Sequence, residues 1–259
     1  MKQQLTLVKV GGKIVEEPAT LKQLLTDFLK IEGHKLLVHG GGRSATAIAA
    51  RLGIESTMVD GRRITDEAML EVVTMVYGGL VNKKIVAGLQ ALGLNAMGLT
   101  GADLNYMVSE KRPVGAVDYG FVGDVKQVNA GILADLIARD VVPVLAPLTH
   151  NGNGMLLNTN ADTIAAEAAK ALAAYFEVTL QYCFEKKGVL SNENDDDSVI
   201  ETITPELFKE YVDRGIIGGG MIPKLENAFA ALTAGVTKVV ITRADFVGST
   251  KGTTILLNE

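Results

Sequence analysis

A single cysteine, Cys183, stands in 259 residues, so no internal disulfide framework can hold this chain together. Histidine is nearly as scarce, at three residues. No signal-peptide apolar core opens the sequence and no uninterrupted apolar run reaches membrane length, so the expectation is a cytoplasmic protein with no membrane partner. A basic stripe is missing too. The 25 lysines and arginines are scattered among 30 acidic residues for a formal net charge of -5. Nucleic-acid binding relies on clustered positive charge, which excludes nucleic acid as an expected partner. Two catalytic strings are absent: no G-x-x-x-x-G-K-[ST] occurs, so any nucleotide chemistry must use another phosphate cradle, and no G-x-S-x-G nucleophile elbow completes a hydrolase reading of His39-Gly40-Gly41-Gly42.

What is present describes a globular chain rich in turns. Hydrophobic residues make up 47% and charged residues 21%, and 28 glycines exceed the usual share of about 7%. Leu5 to Val10 is an apolar run ending at Gly11-Gly12, which predicts a buried strand entering a glycine turn. Pro18 to Lys30 has helical spacing, Lys35 to His39 reads as a second strand that stops at Gly40-Gly41-Gly42, and a helix follows from Arg43 to Leu52. The same order returns with a strand at Val141 to Ala146, an alanine-rich helix at Asn160 to Ala174 and a strand at Val178 to Phe184. Helices at Pro205 to Asp213 and near Ile222 to Ala234, with strands at Lys238 to Thr242 and Thr253 to Leu257, complete an α/β pattern with a mainly parallel sheet. Asp103 to Asn129 alternates and carries turn glycines, which predicts hairpins on one side of the sheet. Asn192 to Ser198, with its three consecutive aspartates, reads as a solvated loop rather than a metal site.

The two glycine turns are the strongest local signal. Each follows an apolar strand, glycine lets backbone N–H groups approach an anion, and a helix N-terminus behind the second turn favours negative charge. One such turn alone is equally well read as a chain reversal; two after two strands point to an anionic ligand. Gly40-x-Gly42-x-x-Ala45 with Asp60 downstream also matches a dinucleotide fingerprint, which keeps a nicotinamide-dependent oxidoreductase as an alternative. Arg63, Asn158, Asp162 and Lys224 are the remaining polar landmarks. Each alone has a structural reading: Asn160 or its neighbour caps a helix, Asp162 favours its first turn, and Lys224 is solvated.

In order along the chain, Val8-Lys9-Val10-Gly11-Gly12, His39-Gly40-Gly41-Gly42, Gly61-Arg62-Arg63-Ile64-Thr65, Val81-Asn82-Lys83, Phe121-Val122-Gly123-Asp124-Val125, Asn158-Thr159-Asn160-Ala161-Asp162 and Gly220-Met221-Ile222-Pro223-Lys224 resemble the amino acid kinase family over nearly the full length. The G-x-R-x-T and N-x-N-A-D strings resemble the branch that acts on N-acylglutamate. The resemblance implies a three-layer αβα sandwich with an open, mainly parallel central sheet. It implies a lobe of residues 1–174 for the acylglutamate and dimerisation, and a lobe of residues 175–259 for ATP. The implied reaction is phosphorylation of the side-chain carboxylate of N-acetylglutamate or a related N-acylglutamate, in arginine biosynthesis, with Mg²⁺ carried on the ATP phosphates and no metal held by the protein. Lys9 and Lys224 would stabilise the phosphoryl group in flight and Asp162 would orient them. Gly41, Gly42, Arg63 and Asn158 would hold the substrate, Arg63 through a forked pair of bonds to a carboxylate. Gly11, Gly12, Lys187, Gly188, Ile217 and Gly218 would contact the nucleotide.

A carboxylate acceptor is already ionised at neutral pH, so no general base is required and His39 reads as a hydrogen-bonded structural residue. One segment departs from the family pattern: Phe184-Glu185-Lys186-Lys187 stands where an aspartate usually ends the strand before a valine and a glycine. That departure keeps a non-catalytic amino-acid or nucleotide sensor as an alternative, beside a kinase acting on aspartate, carbamate or a nucleotide monophosphate. The chain begins almost at its first strand, without the extra helix that joins dimers in arginine-inhibited hexameric members, so a homodimer not inhibited by arginine is expected.

Overall fold

The apolar run after the N-terminus forms the strand Gln3–Val10 at the middle of an eight-stranded sheet. From one edge to the other the order is Thr202–Ile203, Thr253–Ile255, Lys238–Arg243, Phe176–Phe184, Gln3–Val10, His34–His39, Val142–Leu145 and Ala96–Leu99. Every pairing is parallel except that between Lys238–Arg243 and Thr253–Ile255. The structure, a computed structural model, describes residues 2–59, 61–219, 221–249 and 251–258, with Pro223 described through its backbone.

Side chains alternate across a strand, so Gln3–Val10 feeds two cores. Leu5 and Leu7 face the helices Ala130–Ala138, Ala161–Leu172 and Met221–Thr233, where Leu133, Ile164, Ala165, Ala168, Leu225 and Ala228 are buried with them. Val8 and Val10 face the opposite layer, built on Pro18–Leu29, Gly42–Arg51 and a long helix over Glu67–Ala91. The αβα sandwich follows. Small residues make its close layers possible: the alanines of Ala161–Leu172 let that helix lie directly on the sheet. Because Gln3–Val10 pairs with Phe176–Phe184 through eight consecutive residues, the two halves of the chain share one sheet and one core.

The long helix is the largest element that the sequence pattern does not announce. Its middle, Thr74–Val81, is a π-helix containing Gly78 and Gly79, poor helix formers that interrupt the ordinary 3.6-residue period. At 25 residues, with a mean hydropathy of 1.2 in its most apolar stretch, it has the length and composition of a membrane span. Its inner face is nonetheless protein core, with Val72, Val76, Ile85 and Leu89 buried against Leu25, Phe28 and Val144. A hairpin of Met107–Lys111 and Gly123–Val128, with a bulge between Val108 and Ser109, forms in the alternating segment. It joins Leu148–His150 and Leu156–Asn158 in a second, four-stranded sheet. Met58–Val59 and Arg62–Arg63 make a small two-stranded ribbon.

Candidate active site

Parallel strands release their loops at one edge of the sheet, so neighbouring strands bring their C-terminal turns together. Gln3–Val10 and His34–His39 end side by side, and Gly40 N–H donates to the Val10 carbonyl at 3.0 Å. The two glycine turns touch: a Cβ at Gly40 would stand 3.1 Å from Gly12 N, and one at Gly12 would stand 3.4 Å from Gly41 N. At Gly41 a Cβ would lie 3.0 Å from the Tyr77 ring of the π-helix. Side chains are excluded here by neighbouring backbone and by an aromatic ring, leaving main-chain N–H groups at the edge. One amide behind the second turn is already engaged, since Ser44 N–H donates to Glu16 Oε1 at 2.7 Å.

Strand periodicity places Lys9 on the face of Leu5 and Leu7, under the N-terminus of Ala161–Leu172. Asn160 caps that helix, accepting from the N–H groups of Asp162 and Thr163, and this fixes Asp162 in the first turn. Lys9 Nζ stands 2.7 Å from Asp162 Oδ1, an ion pair whose side chains are 8% and 22% exposed. The approach lies outside hydrogen-bond geometry, and that buried oxygen accepts no hydrogen bond among the described residues. The third member arrives from Met221–Thr233, whose first turn carries Lys224. A lysine there opposes the helix dipole, a local conflict that marks a site rather than a packing choice. Burial pulls its ammonium below the ordinary lysine pKa; Asp162 opposes that shift and Lys9 adds to it.

Lys224 lines the larger of two cavities that share Gly42, and the smaller is lined by Asn160 and Ala161, next to Asp162 in sequence. The larger, about 720 Å³, is lined by Gly11, Gly12, Gly188, Ile217, Gly218 and Lys224 among others. The smaller, about 170 Å³, is lined by Gly41, Arg63, Tyr77 and Asn158 among others. Arg63 is 7% exposed and donates to the Gly42 carbonyl at 2.8 Å, to Thr46 Oγ1 at 3.0 Å and to Ser56 Oγ. Three of its five N–H donors are therefore engaged among the described residues, one of them by the glycine turn itself; with both Nη2 hydrogens taken, Nε–H and one Nη1–H remain, which diverge, so the forked pair to one carboxylate expected of Arg63 is not available in this arrangement. Asn158 Nδ2 donates to Thr65 Oγ1 at 2.9 Å. Of the residues singled out from sequence, Lys187 lies elsewhere: it pairs with Asp197 and lines a separate surface cavity with Thr202 and Lys251. The aspartate loop is thus pinned to the chain, through Lys187 and through Lys186 paired with Asp196 at 2.7 Å. Asp60, of the dinucleotide fingerprint, falls outside the described residues, as does Gly220 of the last motif.

His39 is fully buried, with Nδ1 on the Gly40 carbonyl at 2.7 Å and Nε2 accepting from Asn82 Nδ2 at 3.1 Å. Burial, the largest cause, brings its pKa down to about 4, so it is a neutral brace for the second turn. Tyr77 and Phe184 line the site without any motif to announce them. Tyr77 had a faint signal in the Gly78-Gly79 interruption of its helix, and Phe184 in the departure from the family pattern.

The chain belongs to the amino acid kinase family, whose model matches residues 4–243. An acetylglutamate kinase of Phocaeicola vulgatus is 71% identical over 255 residues, covering 98% of this chain and 99% of that one. One of Cytophaga hutchinsonii is 56% identical over 94% of this chain and 92% of that one. In three dimensions the chain is similar to carbamate kinase of Giardia lamblia bound to AMP-PNP, with a TM-score of 0.72 at 14% identity and 98% coverage of both chains, a likeness of fold.

Proposed function

We propose that this protein transfers the γ-phosphoryl group of ATP to the side-chain carboxylate of N-acetylglutamate, making an acyl phosphate for arginine biosynthesis in the cytoplasm. The observation that carries the reading is the meeting of Lys9, Asp162 and Lys224 beside two cavities of unequal size that share one glycine turn. The relatives named acetylglutamate kinase, similar over nearly their whole length, support the choice of acceptor.

In this reading residues 1–174 hold the acceptor and residues 175–259 the nucleotide. Arg63 offers its charge and one remaining donor to a carboxylate of the acceptor, and Asn158 adds an amide contact. Ile217, Gly188 and Gly218 line the nucleotide cleft, where the N–H groups of Gly12, Gly41 and Gly42 serve the phosphate end; Gly11, expected to donate as well, spends its N–H on the Cys183 carbonyl at 3.4 Å and contributes only its lack of a side chain. A carboxylate oxygen attacks the γ-phosphorus as the bond to the β-phosphate oxygen breaks, and no proton has to move. Negative charge spreads over the transferred oxygens, so the protein's contribution is preorganised positive charge from Lys9 and from Lys224, the latter lining the nucleotide cleft. Mg²⁺ would ride on the phosphates and neutralise part of their charge. Asp162 orients the two ammonium groups.

The protein is also proposed to act as a homodimer. Met75 and Leu80 on the long helix and Met97 on the terminal strand of the sheet are exposed large apolar side chains on neighbouring elements, a surface suited to a second copy. Hydroxylamine trapping with Mg-ATP tests the reaction: hydroxamate should form with N-acetylglutamate and fall at least a hundredfold in Lys9→Ala and in Lys224→Ala. Product formation unaffected by either substitution would refute the mechanism. Equal or better product with N-succinylglutamate would change the acyl assignment.

A further inference from the structure

Two ammonium groups stand near one carboxylate at this site, Lys9 paired with it at 2.7 Å and Lys224 within reach of its charge, so the trio keeps a positive charge in a half-buried place. Like charges at such a place repel, and one aspartate cannot balance both. The neighbouring ring supplies the missing attraction. Lys224 Nζ lies 4.0 Å from the centroid of Phe184 and Lys9 Nζ lies 5.1 Å from it, both within the range in which an aromatic face attracts a cation.

Sheet register explains why the ring stands there. Lys9 pairs with Tyr182, and alternation puts Phe184, two residues on, on the same face just past the Lys9 side chain. The ring is held from behind as well: Tyr182 stacks on it at 6.1 Å with planes 9° apart, and the Tyr182 hydroxyl donates to the Asp162 backbone carbonyl at 3.4 Å. Ring, both lysines and aspartate thus form one connected group.

We propose that Phe184 is a positioning residue for phosphoryl transfer, its ring holding Lys9 and Lys224 together as charged groups beside Asp162. The inference rests on the kinase reading above. It assigns a purpose to one residue of the segment in which this chain departs from the family pattern: a neutral ring stabilises both cations without forming a second ion pair that would draw them away from the phosphates.

The charged groups acting on Lys224 are Asp162 and Lys9. Of the others lining the same cleft, Glu185 is paired with Lys13 and Arg43, Lys186 with Asp196, and Glu193 is the further carboxylate at its rim. Loss of the ring should therefore be visible at Lys224. Lysine side-chain NMR titration of the intact protein, compared with Phe184→Leu and Phe184→Tyr, reads the ammonium without needing turnover. A cation–π contact at a desolvated site corresponds to about one pH unit, so the Lys224 midpoint should fall by about that much in Phe184→Leu and stay in place in Phe184→Tyr. With N-acetylglutamate, kcat should fall about tenfold in Phe184→Leu with KM little changed, the alkaline limb of its pH profile should move down with the midpoint, and Phe184→Tyr should restore both. If Phe184→Leu does not fold, Phe184→Met removes the ring in the same way. An unshifted Lys224 midpoint in a folded ringless variant overturns the proposal, whether or not the protein turns over. Absent hydroxamate with a shifted midpoint overturns the kinase reading and leaves the ring's hold on the lysines established.

Discussion

The two cavities on either side of Gly42 are built differently. Around the smaller one, Arg63, Asn158 and Tyr77 are buried, and Arg63 and Asn158 are bonded into the protein before any ligand arrives. Around the larger one, the charged side chains meet in exposed pairs such as Lys13 with Glu185 at 2.8 Å, and much of the lining is apolar: Ile14, Val189, Leu190, Ile217 and Ile241. The difference teaches what each side recognises. A small polar acceptor is selected by fixed hydrogen-bond partners that are costly to leave unpaired, whereas a large nucleotide base and sugar can be held by apolar area with a loose polar rim.

The sharpest way to break the comparison is to remove the brace from the small cavity. Arg63→Met strips partners from Ser56, Thr46 and the Gly42 carbonyl, so kcat/KM for the acceptor should fall a hundredfold or more. Stability should drop by about 5 kcal/mol or more, since three bonds from a buried charged donor are lost and each is worth roughly 1.5–3 kcal/mol. Steady-state kinetics and urea unfolding check both, and a variant of unchanged stability would show that Arg63 serves only the ligand.

His39 gives the next largest effect. Its folded pKa of about 4 lies below the unfolded value of about 6.5, so between those values the unfolded chain binds more protons. Its contribution is therefore complete above about pH 6.5 and declines as pH falls through that window, by about 1.4 kcal/mol per pH unit and about 3 kcal/mol in all. Urea midpoints measured from pH 7 to pH 4 should follow this slope and flatten in His39→Gln; an equal slope in that variant would assign the acid sensitivity to carboxylates instead.

The smallest effect is expected at the rim of the large cleft. Lys13 holds the Glu185 carboxyl below the ordinary glutamate range, with Arg43 adding to it, but the side chain is 53% exposed and solvent screens the pair. Glu185→Gln should change KM for ATP less than threefold and leave the acceptor KM alone. A tenfold change would mean that the rim, like the small cavity, is a preorganised contact.

Much of this arrangement was legible beforehand because its signals are local. Apolar runs ending in glycine pairs announced the first two strands and their turns, and the N-x-N-A-D string announced the capped helix that carries Asp162. The long helix over Glu67–Ala91 was not legible, because its π-turn and glycines break the 3.6-residue period on which such recognition rests. Tyr77 was hidden with it. Lys187 was drawn toward the nucleotide by its place in sequence, while the fold turns it to Asp197 on another surface. Phe184 was visible only as an irregularity, since nothing local says that a ring at a strand end will face two lysines.

The sequence by itself determined most strands of the main sheet, though not Ala96–Leu99 or Thr202–Ile203, and the glycine turns, the family and the identity of the charged residues, because period-two patterning, turn chemistry and motif order are properties of neighbours along the chain. Tertiary structure alone decided that Lys9 and Lys224, 215 positions apart in the numbering, meet beside one aspartate and one ring. That meeting depends on the parallel register of Gln3–Val10 with Phe176–Phe184 and on two helices packing on the same face, and such long-range pairings are fixed by the burial of a shared core rather than by any local preference.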